Sequence, residues 1–202
     1  MKDRKADKNN FTGSVARLLD HFFASYSEEF LNAFEQFFED KSRIGPNKEI
    51  VIRNEMEEDL LMEWLVFDYR LMNGRKIIED FIAKNPLKLN KKELEKYETM
   101  QFNKYGFFEV KTFVKDEWIQ LESLQSGKLY KITENKGTHS AFIGQILLGR
   151  IGKVLDEWML IGSNPIEIPI PLASVVKKTV KEYSGSFSPK YALKIISRND
   201  LI

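Results

Sequence analysis

The stretch Phe107-Phe-Glu-Val-Lys-Thr-Phe-Val-Lys-Asp-Glu-Trp-Ile-Gln-Leu-Glu122 decides the fold. Phe108, Val110, Thr112 and Val114 alternate with Glu109, Lys111 and Phe113, and Ile119 and Leu121 alternate with Gln120 and Glu122. A period of two in aromatic and β-branched residues belongs to half-buried strands, and Lys115-Asp116 supplies a tight turn, so the spacing predicts a hairpin. Downstream, Ser126-Gly127 turns the chain into a strand at Leu129–Glu134, Asn135–Ser140 reads as a loop, and Gln145–Ile151 and Trp158–Ile161 complete five strands. Short strands on short turns predict an antiparallel module closed into a small barrel, which hides its edges.

Upstream of the hairpin the period is helical. Val15, Leu19, Phe22, Tyr26, Phe30, Phe34 and Phe37 recur at steps of three and four after Ser14, predicting one amphipathic helix to about Asp40, bent near Ser25-Tyr-Ser27. Its Phe-rich face needs a partner, either the rest of the chain or a second copy in a homodimer through residues 14–40. Further helices are predicted from Asn54, over Ile77–Ile82, and from Asn90, where Glu93 completes a capping box. Beyond the strands, Asn164-Pro165 through Pro171 reads as an extended connector, followed by helices carrying Val176 and Val180 and one opened by Ser188-Pro189. The fold class is therefore α+β: a polar tail at 1–11, a helical region at 12–104, a β-module at 105–163, and a connector with C-terminal helices at 164–202.

Composition narrows the function. With 31 Lys+Arg against 30 Asp+Glu, the net charge of +1 gives no whole-molecule pull towards nucleic acid or an anionic membrane. The absence of cysteine excludes disulfides, Cys-ligated zinc and thiol nucleophiles. With no apolar leader region near Met1 and no apolar run of spanning length, the reading is a cytoplasmic chain without a membrane partner.

Candidate chemistry is sparse. The acidic run Glu55, Glu57, Glu58, Asp59 and Glu63 reads as a solvated helix face rather than a cation site. His21 and His139 are too far apart to form a metal motif, and Gly144 to Arg150 lacks the Lys and Ser/Thr of a phosphate loop, so its glycines read as a bend in a strand. No catalytic residue, metal or cofactor is assigned. The candidate binding residues are Asp68, Arg70 and Arg75 around the Asn73-Gly74 turn, Trp118 and Tyr130 on the strands, and Lys177, Lys178 and Lys181 in the basic C-terminal segment.

A set of positions carries a resemblance: Glu63-Trp64, Phe67-Asp68, Asn73-Gly74-Arg75, Asn90 with Glu93, Phe108-Glu-Val110, Leu121, Leu124, Gly127, Tyr130, Gly149-Arg150 and Trp158-Met-Leu-Ile-Gly162. Over residues 63–162 the chain resembles uncharacterised bacterial proteins that often carry a C-terminal SEC-C zinc-binding motif. That motif needs cysteines, which this chain lacks, so the zinc is not carried over.

The sequence thus points to a non-catalytic binding or adaptor protein. It would engage a macromolecular partner, protein in preference to nucleic acid, through the β-module or its junction with the helices. Two alternatives stand beside it: a nucleic-acid-associated factor using the basic C-terminal helices, and an enzyme centred on Asp68.

Overall fold

A computed structural model describes residues 12–134, 138 and 140–198. The tail at 1–11, loop residues 135–137 and His139 lie outside the described residues, as do residues 199–202. The chain divides into two compact units, one ending at Leu94 and the other beginning at Glu95.

In the first unit, the predicted long helix is two helices, α1 (Thr12–Tyr26) and α2 (Phe30–Phe38), separated by a tight turn at Ser27–Glu29. Glu29 is responsible for the break. Its buried carboxylate accepts from the Met72 backbone N–H at 3.0 Å and from the Tyr69 hydroxyl at 3.1 Å. Those bonds draw the chain into the turn and satisfy a carboxyl group that is shut off from water there. Phe22, Phe34 and Phe37 are buried in this unit's core, each contributing about 1.5–3 kcal/mol, while Phe23 is 42% exposed.

Helix α3 (Glu55–Phe67) starts on Asn54, whose side chain accepts from the Glu57 N–H, and α4 (Ile77–Lys84) follows the Asn73-Gly74 turn. Helix α5 (Lys91–Met100) opens on the expected capping box, with Asn90 and Glu93 each accepting from the other's backbone N–H. The acidic run in α3 needs a correction, because Glu57 and Glu63 are buried. Arg43, also buried, grips Glu57 with two guanidinium nitrogens at 2.7 and 2.8 Å.

The second unit is built on a five-stranded mixed sheet: β1 (Asn103–Val114), β2 (Trp118–Ser123), β3 (Leu129–Thr133), β4 (Ile146–Val154) and β5 (Glu157–Ile168). The pairing order runs β1-β2-β3-β5-β4, and β4 returns to β1. All pairs are antiparallel except β3 with β5, which meet in parallel at Ile132 and Trp158. The wholly antiparallel expectation fails for a reason of parity, since strand direction cannot alternate around a ring of five. The inner face holds Phe108, Val110, Ile119, Leu121, Tyr130, Ile132, Leu147 and Ile151.

Two local irregularities shape the sheet. The register of β1 shifts between Val110 and Thr112, so the alternation read from the sequence inverts there. Phe113 consequently packs on the core, and Thr112 and Val114 face outward. On β4 the register shifts between Leu148 and Arg150, so Gly149 bends the strand as expected. A Cβ on Gly149 would lie 3.5 Å from Pro165. The segment expected to be a connector from Asn164 is instead the second half of β5, pairing Ile166, Glu167 and Ile168 with β4. Pro165 is tolerated because it stands where the ladder is already interrupted.

Helices α6 (Ala173–Glu182) and α7 (Pro189–Arg198) complete the unit, with Val176 and Val180 fully buried. They are anchored on the outer side of β1. Phe187, between them, packs edge-on against Phe107 with ring centroids 5.7 Å apart, and Lys177 pairs with Glu109 at 3.0 Å.

Candidate functional site

The two flanks of the sheet differ. On the outer side of β1 and β4, Tyr105, Phe107, Ile146, Leu148 and Arg150 are all buried. Arg150 donates there to the Asn103 side chain at 2.6 Å, with its guanidinium over the Tyr105 ring. The outer side of β2, β3 and the far half of β1 is open. Cross-strand register sets its residues in rows: Thr112, Gln120 and Lys131 in one, and Val114, Trp118 and Thr133 in the next. Lys131 and Thr112 are exposed, Val114 is 39% exposed, and Trp118, Gln120 and Thr133 are partly exposed.

Trp118 is the centre of this face. The Lys131 ammonium lies 4.4 Å from its ring centroid, a cation–π contact at the solvent boundary. The acidic residues on these strands are largely occupied. Lys177 holds Glu109, and Lys111 pairs with Glu122 at 3.0 Å. The Glu122 carboxylate, and then the Glu109 charge, raise the Lys111 ammonium above its ordinary pKa. Lys115 and Lys128, in the turns on either side of β2, are exposed.

The other residues singled out from the sequence are distributed differently. Tyr130 points into the core, edge-on to Phe108 and Trp158, and burial raises its phenol pKa, so it is no part of an outer surface. Asp68 ends α3 and is partly buried. Arg70 and Arg75 are exposed; Arg70 donates to the Gly74 carbonyl and the Arg75 N–H bonds the Asn73 side chain, both of which order the turn. Lys178 and Lys181 are exposed on α6, whereas Lys177 is taken by Glu109. No group of three metal-ligating side chains occurs among the described residues.

One constellation was missed in the sequence. His21 and Tyr26 of α1 meet Asp80 and Lys84 of α4. Asp80 is fully buried, and its Oδ2 accepts from the Tyr26 hydroxyl at 2.7 Å and from His21 Nε2 at 2.9 Å, with the Lys84 ammonium at 3.2 Å. Lys84 also contacts the Tyr26 hydroxyl. Burial works to raise the Asp80 pKa, but the three donors outweigh it and hold the group below its ordinary value. Its role is to join two helices through their polar side chains. The only sequence signal was the placement of a His and a Tyr on an otherwise apolar helix face.

Among the described residues, no helix is long and apolar enough to cross a membrane. No curated protein and no solved structure matches the chain. A family of unknown function does match, over residues 18–164, which takes in both the helical core and most of the sheet. The chain belongs to that family, DUF7986.

Proposed function

We propose that this protein is a non-catalytic binding protein whose second unit is a small barrel, and that the outer face of β2 and β3 around Trp118 engages a macromolecular partner. The observation that carries the reading is the asymmetry of the sheet. One flank is buried and braced by Phe187 and Lys177, whereas the other presents Trp118, Lys131, Gln120 and Val114 to solvent. A residue type as costly to expose as Trp, set among hydrogen-bonding groups, is common at recognition surfaces. The strand order, with β3 and β5 parallel, is that of five-stranded OB-type barrels, which use the face of strands 2 and 3 for binding. The link between those barrels and this chain is one of fold alone. The cysteine-free composition supports a cytoplasmic setting.

The test is a photo-cross-linking amino acid placed at Gln120 and, as a control, at Ser197 on α7. Adducts that form at Gln120, and that disappear when Trp118 is also changed to Ala, support the reading. Equal adducts at both positions, or none at either, contradict it.

A further inference from the structure

We infer that the partner of the Trp118 face is a single-stranded nucleic acid. The inference rests on the reading of that face given above. Three observations lead to it. First, Trp118 offers a ring beneath a lysine, Lys131, and the exposed Lys115 and Lys128 lie in the turns flanking its strand. A π-face beside phosphate-binding cations is the sequence-tolerant chemistry that grips unpaired bases.

Second, the two carboxylates within these strands are paired, and the exposed acids Asp116 and Glu117 are confined to the Lys115 turn at one end of the face. Glu109 is engaged by Lys177 and Glu122 by Lys111, while the exposed Lys131 lies over the Trp118 ring with no carboxylate opposite it in the β2–β3 register. Third, the strand order closes on itself, so both edges of β2 are paired along this face. A peptide adding as an extra strand beside β2 finds no free edge there. An amphipathic helix needs a broad apolar groove, whereas the rows here alternate apolar with polar groups: Thr112, Gln120 and Lys131 beside Val114, Trp118 and Thr133. Hydroxyl, amide and ammonium groups flanking a ring suit bases and phosphates.

The experiment uses the full chain and a fluorescent single-stranded thymidine or uridine oligonucleotide of about 12 residues, read by anisotropy. The result expected is saturable binding at about 50 mM salt that weakens steeply by about 200 mM, with a duplex of the same length binding less well. Trp118→Ala weakens binding by about five- to a hundredfold, Trp118→Phe restores most of it, and Lys131→Glu acts in the same direction. Lys178→Glu, on the braced side of the unit, changes binding by less than about threefold.

Absence of binding by folded protein at the lower salt overturns the inference. So does loss on Lys178→Glu with Trp118→Ala unaffected, which would move the contact to the C-terminal helices. If the oligonucleotide fails to bind while Gln120 still cross-links to a protein in a Trp118-dependent way, the nucleic acid is wrong and the binding face stands. If both fail, the face itself is wrong.

Discussion

Lys131 and Trp118, on adjacent strands, hold an ammonium 4.4 Å from a ring centroid at the open side of the sheet. An exposed pair of this kind contributes about 0.5–1 kcal/mol, too little to justify leaving the ring partly in water for the sake of the fold. Lys131→Ala is therefore expected to lower unfolding free energy by no more than about 1 kcal/mol. Urea denaturation followed by circular dichroism measures this, and a loss of several kcal/mol would assign the pair to stability instead of recognition.

The Arg43–Glu57 pair makes the opposite prediction. Both residues are buried, and the Arg53 N–H adds a third donor to Glu57 at 2.8 Å. Glu57→Ala leaves the buried guanidinium only the Val51 carbonyl at 3.3 Å and the Asp40 carboxylate at 3.6 Å, and is expected to cost about 3 kcal/mol. Replacing both partners, Arg43→Met with Glu57→Leu, removes the under-compensated buried charge and is expected to recover a large part of that loss. A double-mutant cycle in urea compares the two, and additive losses would contradict the account.

The Asp80 cluster predicts acid sensitivity. The folded-state pKa of Asp80 is lowered, as is that of Glu57, where the Arg43 hydrogen bonds are the main cause. A depressed carboxyl stabilises the fold fully above its unfolded-state value and ceases to do so as pH falls through the folded value. Stability is thus expected to decline below about pH 4, starting near the ordinary carboxyl range. Asp80→Asn should be less stable at neutral pH, since the amide gives His21, Tyr26 and Lys84 a weaker acceptor, and should show a shallower acid decline. Melting temperatures of both proteins between neutral and acidic pH measure the difference, and parallel curves would remove Asp80 as a cause.

Features governed by neighbouring residues were legible in the sequence. The Asn90–Glu93 box and the turns at Lys115-Asp116 and Ser126-Gly127 depend on local chemistry, and Asp116 and Gly127 take the left-handed backbone with φ of 64° and 67°. The helix at Ser188-Pro189 is of the same kind. What was hidden depends on distant partners. Glu29 breaks the first helix through bonds to Tyr69 and Met72, and His21 meets Asp80 across 59 positions. Glu57 looked solvated because its acidic neighbours are, and nothing near it in the chain announced Arg43. The bulge in β1 reversed the facing of Phe113 and Val114, an inversion that a one-residue change in register always produces. Pro165 reads as a strand breaker from sequence alone because the interruption of the ladder opposite it at Gly149 is a matter of β4–β5 register.

The candidate site was half legible. Trp118 was singled out for its residue type, but its neighbour Lys131 was not, because their contact depends on β2–β3 register. Tyr130, chosen on the same grounds as Trp118, lies one position out of phase and faces the core.

The most direct test of the central claim, that one flank of the sheet is reserved for binding, is mapping of backbone amide chemical shifts in the full chain as the single-stranded oligonucleotide is added. The account predicts that the perturbed amides cluster at residues 111–114, 117–122 and 129–133, with α6 and α7 unchanged. Perturbations concentrated in α6 and α7, with Trp118, Gln120 and Lys131 silent, would contradict it.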